Sequence, residues 1–140
     1  MKADNIKKDL LKIFPDLYHI WFTDPKYSIL RVPELREVIK ECSVSSMKFL
    51  SDVWDCDNSA LRLHSNVQKY QYDLLQLTTM IKKHYSWAFG EAMGIKFRGE
   101  KVNHAVNICV TDKGIFLIEP QSNQIWKAKR NLDVVYFVKF

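Results

Sequence analysis

The sequence has few cysteines, few glycines and prolines, and no long apolar run. Its 140 residues include three cysteines, four glycines and four prolines. The scarcity of glycine and proline excludes collagen-like and linker-rich chains. No apolar stretch approaches the roughly 20 residues that a membrane-spanning helix needs, and the first residues lack the uninterrupted apolar segment of a signal peptide. We therefore expect a cytoplasmic protein without a membrane partner.

The cysteines form neither a disulfide framework nor a zinc signature. The three cysteines, Cys42, Cys56 and Cys109, cannot all form disulfides with one another, and no two of them are close enough in sequence for a CxxC pair. Free thiols in a reducing compartment are the simplest interpretation.

What the sequence does contain is typical of a globular protein. Hydrophobic residues make up 47% of the chain and aromatic residues 13%, and the net charge is +5. A chain of this length and composition can bury a core of its own, so residues 1–140 are predicted to form a single domain. Lysines and arginines are scattered between acidic residues, a pattern that favours a solvated surface over a nucleic-acid partner.

Helices are predicted first, over about residues 1–83, and a sheet second, over about residues 84–140. The longest helix begins with Asp55 as N-cap and carries an apolar face. This face consists of Cys56, Ala60, Leu63, Val67, Tyr70, Leu74, Leu77 and Ile81. Downstream, the apolar runs NHAVNICVT and GIFLIEPQ flank Asp112-Lys113-Gly114, which indicates an antiparallel hairpin. The predicted class is α+β, with N-terminal helices packed on a C-terminal antiparallel β-sheet.

Cys56 lies where a helix N-terminus would stabilise a thiolate. A thiolate nucleophile needs a base, and the base needs a group that orients it. His104 opens the first strand of the hairpin and Glu119 ends the second, so folding of the hairpin places them side by side. His64 is two turns along the helix from Cys56, roughly 12 Å away, which is too far for direct proton transfer. The alternative interpretation is a core cysteine, a strand histidine and a surface glutamate.

The segments DVWDCDNSA, NHAVNI and LIEPQ together resemble the papain-fold and transglutaminase-like cysteine peptidases. More narrowly, they are similar to small bacterial, archaeal and phage proteins and to the protease domain of certain fungal agglutinins. The resemblance implies a minimal papain-like fold and a cysteine hydrolase, a peptidase or amidase that acts by acyl transfer on a peptide or other amide substrate. It implies Cys56 as nucleophile, His104 as general base and Glu119 as the group that orients the histidine.

The chain departs from the papain pattern at the oxyanion hole. Leu50 stands six residues before Cys56, where papains have a glutamine. The backbone N–H of Cys56 and the side chain of Trp54 or Gln121 are the candidates for this role. Trp87 is a candidate for lining a substrate groove.

The carboxylates of Asp55 and Asp57 flank Cys56 and oppose a thiolate by like-charge repulsion. A cation would relieve this repulsion, and the resemblance to agglutinin-type proteases implies calcium at Asp55 and Asp57. The DCD segment alone lacks the ligand count of a calcium loop, so no cofactor is the first expectation.

The alternative to a hydrolase is a non-catalytic binding or structural module on the same fold, including a module derived from a phage. The carboxylates beside the cysteine and the absence of the papain glutamine favour this alternative.

Overall fold

The computed structural model describes residues 1–77 and 84–140. The described helices are α1 (Ala3–Ile13), α2 (Val32–Cys42) and α3 (Cys56–Gln76). The described strands are β1 (His19–Trp21), β2 (Phe89–Phe97), β3 (Glu100–Thr111), β4 (Gly114–Glu119), β5 (Gln124–Lys127) and β6 (Val134–Lys139). Ile81, the last apolar position of the long helical pattern, lies outside the described residues. No described helix is long and apolar enough to cross a membrane.

The strands form one six-stranded sheet in the order β1-β6-β2-β3-β4-β5. Every neighbouring pair is antiparallel except β1 and β6, which run parallel with His19 opposite Phe137 and Trp21 opposite Lys139. The prediction of a helical part packed on a wholly antiparallel C-terminal sheet, in a papain-like arrangement, is therefore wrong. Strand β1 has three residues and its partner β6 comes from the other end of the chain, so no local sequence pattern specifies their pairing.

Apolar side chains cover both faces of the sheet. Helix α1 packs Ile6, Leu10 and Phe14 into the core on one face. Helices α2 and α3 cover the other face with a second buried cluster, Leu35, Val38, Ile39, Leu63, Val67, Phe89, Cys109, Phe116 and Ile118. Successive side chains of β3 point to opposite faces of the sheet and so contribute to both cores. Val106, Ile108 and Val110 belong to the first core, and Cys109 belongs to the second.

Two local predictions are confirmed. Helix α3 begins at Cys56 with Asp55 as its N-cap, and the backbone N–H of Asp55 donates to Asn58 Oδ1 at 3.3 Å in a capping-box arrangement. Strands β3 and β4 form the antiparallel hairpin, with Thr111 opposite Gly114 at its closed end. Both features depend on residues that are neighbours in sequence.

Candidate functional site

His104 and Glu119 contact each other directly. The distance from His104 Nε2 to Glu119 Oε2 is 2.5 Å, and the backbone N–H of Gln121 donates to the other carboxylate oxygen at 3.2 Å. The ring of Phe97 packs edge-on against His104 with the centroids 6.0 Å apart. The register of the hairpin therefore brings His104 and Glu119 together, as predicted. The chemical roles of the two residues stay predictions.

Cys56 is the half-exposed thiol, whereas Cys42 and Cys109 are buried. Asn107 Nδ2 on β3 donates to the carbonyl of Ala60 at 2.8 Å, and one turn later His64 bonds to Glu91 on β2. Because Glu91 is opposite Asn107, the two contacts lie at the same level of the sheet and place α3 over β2 and β3. Among the described residues, no hydrogen bond or ion pair joins the Cys56 thiol to His104 or Glu119.

Two polar atoms next to Cys56 are buried without a hydrogen-bond partner, Trp54 Nε1 and Asp55 Oδ1. Asp57 is exposed, and its interaction with Asp55, chiefly a side-chain hydrogen bond, raises the pKa of Asp57. Two carboxylates fall short of the six to eight oxygens that calcium takes. Among residues 1–77 and 84–140, no group of three or more His, Cys, Asp or Glu side chains is arranged to hold a metal ion. Calcium at this position stays a prediction.

Trp87 lines a cleft to which Trp54 and Gln121 do not contribute. It precedes β2 and lines an open cleft, with a volume of about 430 Å³, on the side of the sheet covered by α2 and α3. We call this the α2–α3 cleft, and its lining residues are Ile29, Leu30, Pro33, Glu34, Glu37, Val38, Tyr70, Leu74 and Trp87. The Tyr70 and Trp87 rings form one wall, with centroids 6.5 Å apart at 43°.

Hydrogen bonds to Gln71 on α3 hold the aromatic wall in place. The backbone N–H of Trp87 donates to Gln71 Oε1 at 3.0 Å, and Gln71 Nε2 donates to the carbonyl of Tyr85 at 3.0 Å. Because one side chain fixes the backbone on both sides of Ser86, the segment that leads into β2 is tied to the helix.

The opposite rim carries two carboxylates one turn apart on α2. Glu34 accepts from the guanidinium of Arg31 at 2.7 and 2.9 Å, and that contact lowers the pKa of Glu34. Glu37 is exposed to solvent. The cleft therefore places an apolar aromatic surface opposite hydrogen-bond acceptors.

A second cleft of about 430 Å³ lies at the opposite end of β2, where Arg98 follows the strand. We call this the Arg98 cleft, and its lining residues are Arg98, Trp126, Lys127, Lys129, Leu132 and Asp133. The guanidinium of Arg98 lies over the Trp126 ring, 4.5 Å from its centroid.

The sequence predicts that Trp87 lines a substrate groove, and Trp87 does line the α2–α3 cleft, but the charged residues of the two clefts carry no sequence signal. The sequence pattern places Tyr70 on the apolar face of a helix and gives no signal for Glu34 and Glu37. Arg98 and Lys129 counted only as scattered surface cations. Each cleft is assembled from segments distant in sequence, so no local spacing pattern could have identified it.

Residues 27–125 match the model of the Agglutinin C-terminal family. Two solved structures are similar to the whole of this chain at 20% sequence identity. One is the PSL1a–E64 complex, with a TM-score of 0.80. The other, with a TM-score of 0.76, is the Polyporus squamosus lectin bound to the human-type influenza-binding epitope Neu5Aca2-6Galb1-4GlcNAc. The chain spans about half the length of these structures, 51% and 49%. No curated protein matches the sequence.

These findings correct the assignment to the papain-fold and transglutaminase-like cysteine peptidases. The matching family is the Agglutinin C-terminal family, and the fold is shared with the two solved structures, of which one is the Polyporus squamosus lectin. The interpretation as a hydrolase or thiol protease, with a peptide or amide substrate as its partner, is wrong for the same reason. The residue blocks that carried it specify a helix cap and a hairpin, and these local elements occur in many unrelated chains. The alternative of a binding module agrees better with the findings.

Proposed function

Because the chain belongs to the Agglutinin C-terminal family, we propose that it is a non-catalytic carbohydrate-binding module whose glycan lies in the α2–α3 cleft. The family and the fold shared with a lectin bound to a glycan epitope support the proposal. Since this chain spans about half of that lectin, the proposal concerns this chain alone.

The observation that carries the location is the aromatic wall of Tyr70 and Trp87 facing the carboxylates of Glu34 and Glu37. A sugar ring has apolar C–H faces and a rim of hydroxyl groups. An aromatic face packs against the C–H face, while carboxylate oxygens accept hydrogen bonds from the hydroxyls. The volume of the cleft lies within the range of small-molecule sites.

The groups that line the cleft differ in how firmly they are held in place. Gln71 fixes the backbone at Trp87. The Arg31 guanidinium donates twice to Glu34 Oε1, and the backbone N–H of Arg31 donates to Glu34 Oε2. These groups are therefore positioned before a ligand arrives, which reduces the ordering cost of binding. Glu37 is exposed and available to a hydroxyl donor.

The test is a titration with the trisaccharide Neu5Acα2-6Galβ1-4GlcNAc, followed by the indole N–H signals in a ¹H–¹⁵N spectrum. The chain has four tryptophans, and Trp→Phe variants assign their signals. We expect the Trp87 signal to shift on addition of up to about 10 mM sugar, which detects even a millimolar Kd. The exposed Trp21, on the edge strand β1, serves as the internal control. A Trp87 signal that stays unchanged while the sugar is in excess overturns the proposal.

A matched pair of variants tests the carboxylate rim. Glu37→Gln removes a charge inside the cleft, and Glu41→Gln removes the same charge one turn further along α2, where the residue is exposed and outside the lining. Hydrogen bonds to an ionised acceptor are about twice as strong as neutral ones. We expect Glu37→Gln to weaken trisaccharide binding about tenfold and Glu41→Gln to leave it unchanged. Equal effects of the two variants contradict the assigned position of the glycan.

A further inference from the structure

We propose that the Arg98 cleft is a second binding site, which takes the oxyanion group, a carboxylate or sulfate, of an acidic saccharide. It lies at the other end of β2 from the α2–α3 cleft and shares no lining residue with it. The inference goes beyond the proposed function, because it requires no sugar in the α2–α3 cleft.

The scaffold of this site is the carboxylate of Asp133, a residue that is 2% exposed. Its Oδ1 accepts from the backbone N–H of Arg98 at 2.9 Å and from Trp126 Nε1 at 3.1 Å, and its Oδ2 accepts from the backbone N–H of Lys129 at 2.8 Å. One buried side chain thus fixes the β2–β3 turn, strand β5 and the loop that follows β5. A polar network satisfied in this way holds its members in one arrangement.

Positive charge exceeds negative charge in the cleft. The lining contains the cations Arg98, Lys127 and Lys129 and the single carboxylate of Asp133, which leaves a formal excess of two positive charges. Asp133 is committed to its three N–H donors. An anionic ligand would supply the missing charge, and the walls of a cleft strengthen such attraction relative to open solvent.

Arg98 is held ready for a ligand by both its backbone and its side chain. The backbone has φ 50° at Arg98 and φ 85° at Gly99, and a positive φ at two successive positions suits a tight hairpin turn. Arg98 Nη1 donates to Gln124 Oε1 at 2.7 Å, and the guanidinium stacks on Trp126. Of the five N–H donors of a guanidinium, Gln124 takes one in this contact.

The composition of the lining favours a single oxyanion on a sugar over a nucleic-acid strand. Trp126 is the one aromatic residue of the cleft, and Leu132, which is 43% exposed, adds an apolar surface for a sugar ring. Single-stranded nucleic acids are bound by several aromatic platforms along a continuous basic groove. Glu100, exposed directly after the turn, adds a negative charge where such a groove would continue.

The test uses a sulfated, heparin-derived tetrasaccharide as the probe, with neutral chitotetraose as its uncharged counterpart. We expect the sulfated probe to shift the Trp126 indole signal and the neutral probe to leave it unchanged. A silent Trp126 signal at saturating probe overturns this inference, whereas a silent Trp87 signal with the trisaccharide overturns the proposed function. The two failures are therefore distinguishable.

Variants matched in net charge separate a site from general attraction to a basic protein. Lys127→Gln/Lys129→Gln removes two exposed cations at the cleft, and Lys7→Gln/Lys8→Gln removes two exposed cations on α1. We expect at least a tenfold loss of tetrasaccharide affinity in the first variant and less than a twofold loss in the second. Equal losses would mean that net charge alone attracts the probe and would overturn the proposal. Binding of an oligothymidylate of equal charge as tightly as the tetrasaccharide would overturn the saccharide assignment.

Discussion

The described part of the chain, residues 1–77 and 84–140, contains two histidine–glutamate pairs of the same chemistry in different surroundings. His64 Nδ1 lies 2.8 Å from Glu91 Oε1, and the two side chains are 7% and 11% exposed. His104 Nε2 lies 2.5 Å from Glu119 Oε2, and these side chains are 19% and 17% exposed. A ligand or solvent can reach the second pair more readily than the first. The difference shows that a histidine–carboxylate contact alone does not identify a functional site.

The His64–Glu91 pair belongs to a polar layer between α3 and the sheet. The His64 ring lies 6.1 Å from the Phe89 ring, and Glu91 is opposite Asn107 on β3. Asn107 Nδ2 donates to the carbonyls of Ala60 and Gly90 at 2.8 and 3.0 Å. These contacts join helix to strand, so the buried pair contributes to the fold. The His104–Glu119 pair joins two strands that the hairpin already connects.

Removing one partner from the buried pair has the largest expected effect. Glu91→Ala leaves the His64 ring buried without its hydrogen-bond partner and should lower the free energy of unfolding by about 3 kcal/mol. The matched variant Glu119→Ala leaves its histidine within reach of water, so a loss of at most about 1 kcal/mol is expected. Urea unfolding followed by circular dichroism measures both losses. Equal losses would show that the two pairs do not differ as their burial indicates.

The three thiols extend the comparison from stability to reactivity. Burial, followed by the charge of Glu41, raises the pKa of Cys42 to about 11, and burial raises the pKa of Cys109. A raised thiol pKa means less thiolate at pH 8, so Cys42 should react with iodoacetamide roughly 100-fold more slowly than an ordinary thiol. Cys56 is half-exposed and should be alkylated first. Peptide mass spectrometry against time gives the three rates, and Cys42 or Cys109 reacting ahead of Cys56 would contradict this order.

The more exposed pair, His104 and Glu119, can be predicted from the sequence because local elements bring the two residues together. The cap at Asp55 and the turn at Asp112-Lys113-Gly114 set the start of α3 and the register that brings His104 to Glu119. Hydrophobic periodicity and turn residues specify such features within short segments.

The buried pair could not be predicted in the same way. His64 was judged only by its distance from Cys56 along the helix, and its partner lies across a helix–sheet interface that no spacing rule specifies. The same limit applies to the pairing of β1 with β6, which comes from the other end of the chain, and to the residues that line the two clefts. Long-range packing decides all four features, whereas sequence patterns report mainly local ones.

Replacing both members of the buried pair should recover most of the stability lost with one. In His64→Leu/Glu91→Leu neither member of the pair remains as an unpaired polar side chain, and two apolar side chains fill a comparable volume. Stability within about 1 kcal/mol of the native protein is expected. The control is Glu91→Leu alone, which leaves His64 unpaired and should be less stable than the double variant. Additive losses in a double-mutant cycle would mean that the pair contributes by packing and not by its hydrogen bond.

The smallest expected effect is that of His104→Ala. The His104–Glu119 pair is more accessible to solvent, so the loss of stability should be about 1 kcal/mol or less. The exposed His84 provides the matched control, His84→Ala. If the protein is a non-catalytic module, His104→Ala should also change the alkylation rate of Cys56 by less than twofold. A large decrease of that rate in His104→Ala, but not in His84→Ala, would demonstrate a functional thiol–imidazole pair at the start of α3. Such a pair activates a thiol nucleophile, so this outcome would contradict the proposal that the module is non-catalytic and would assign the half-exposed histidine a chemical role that the buried one lacks.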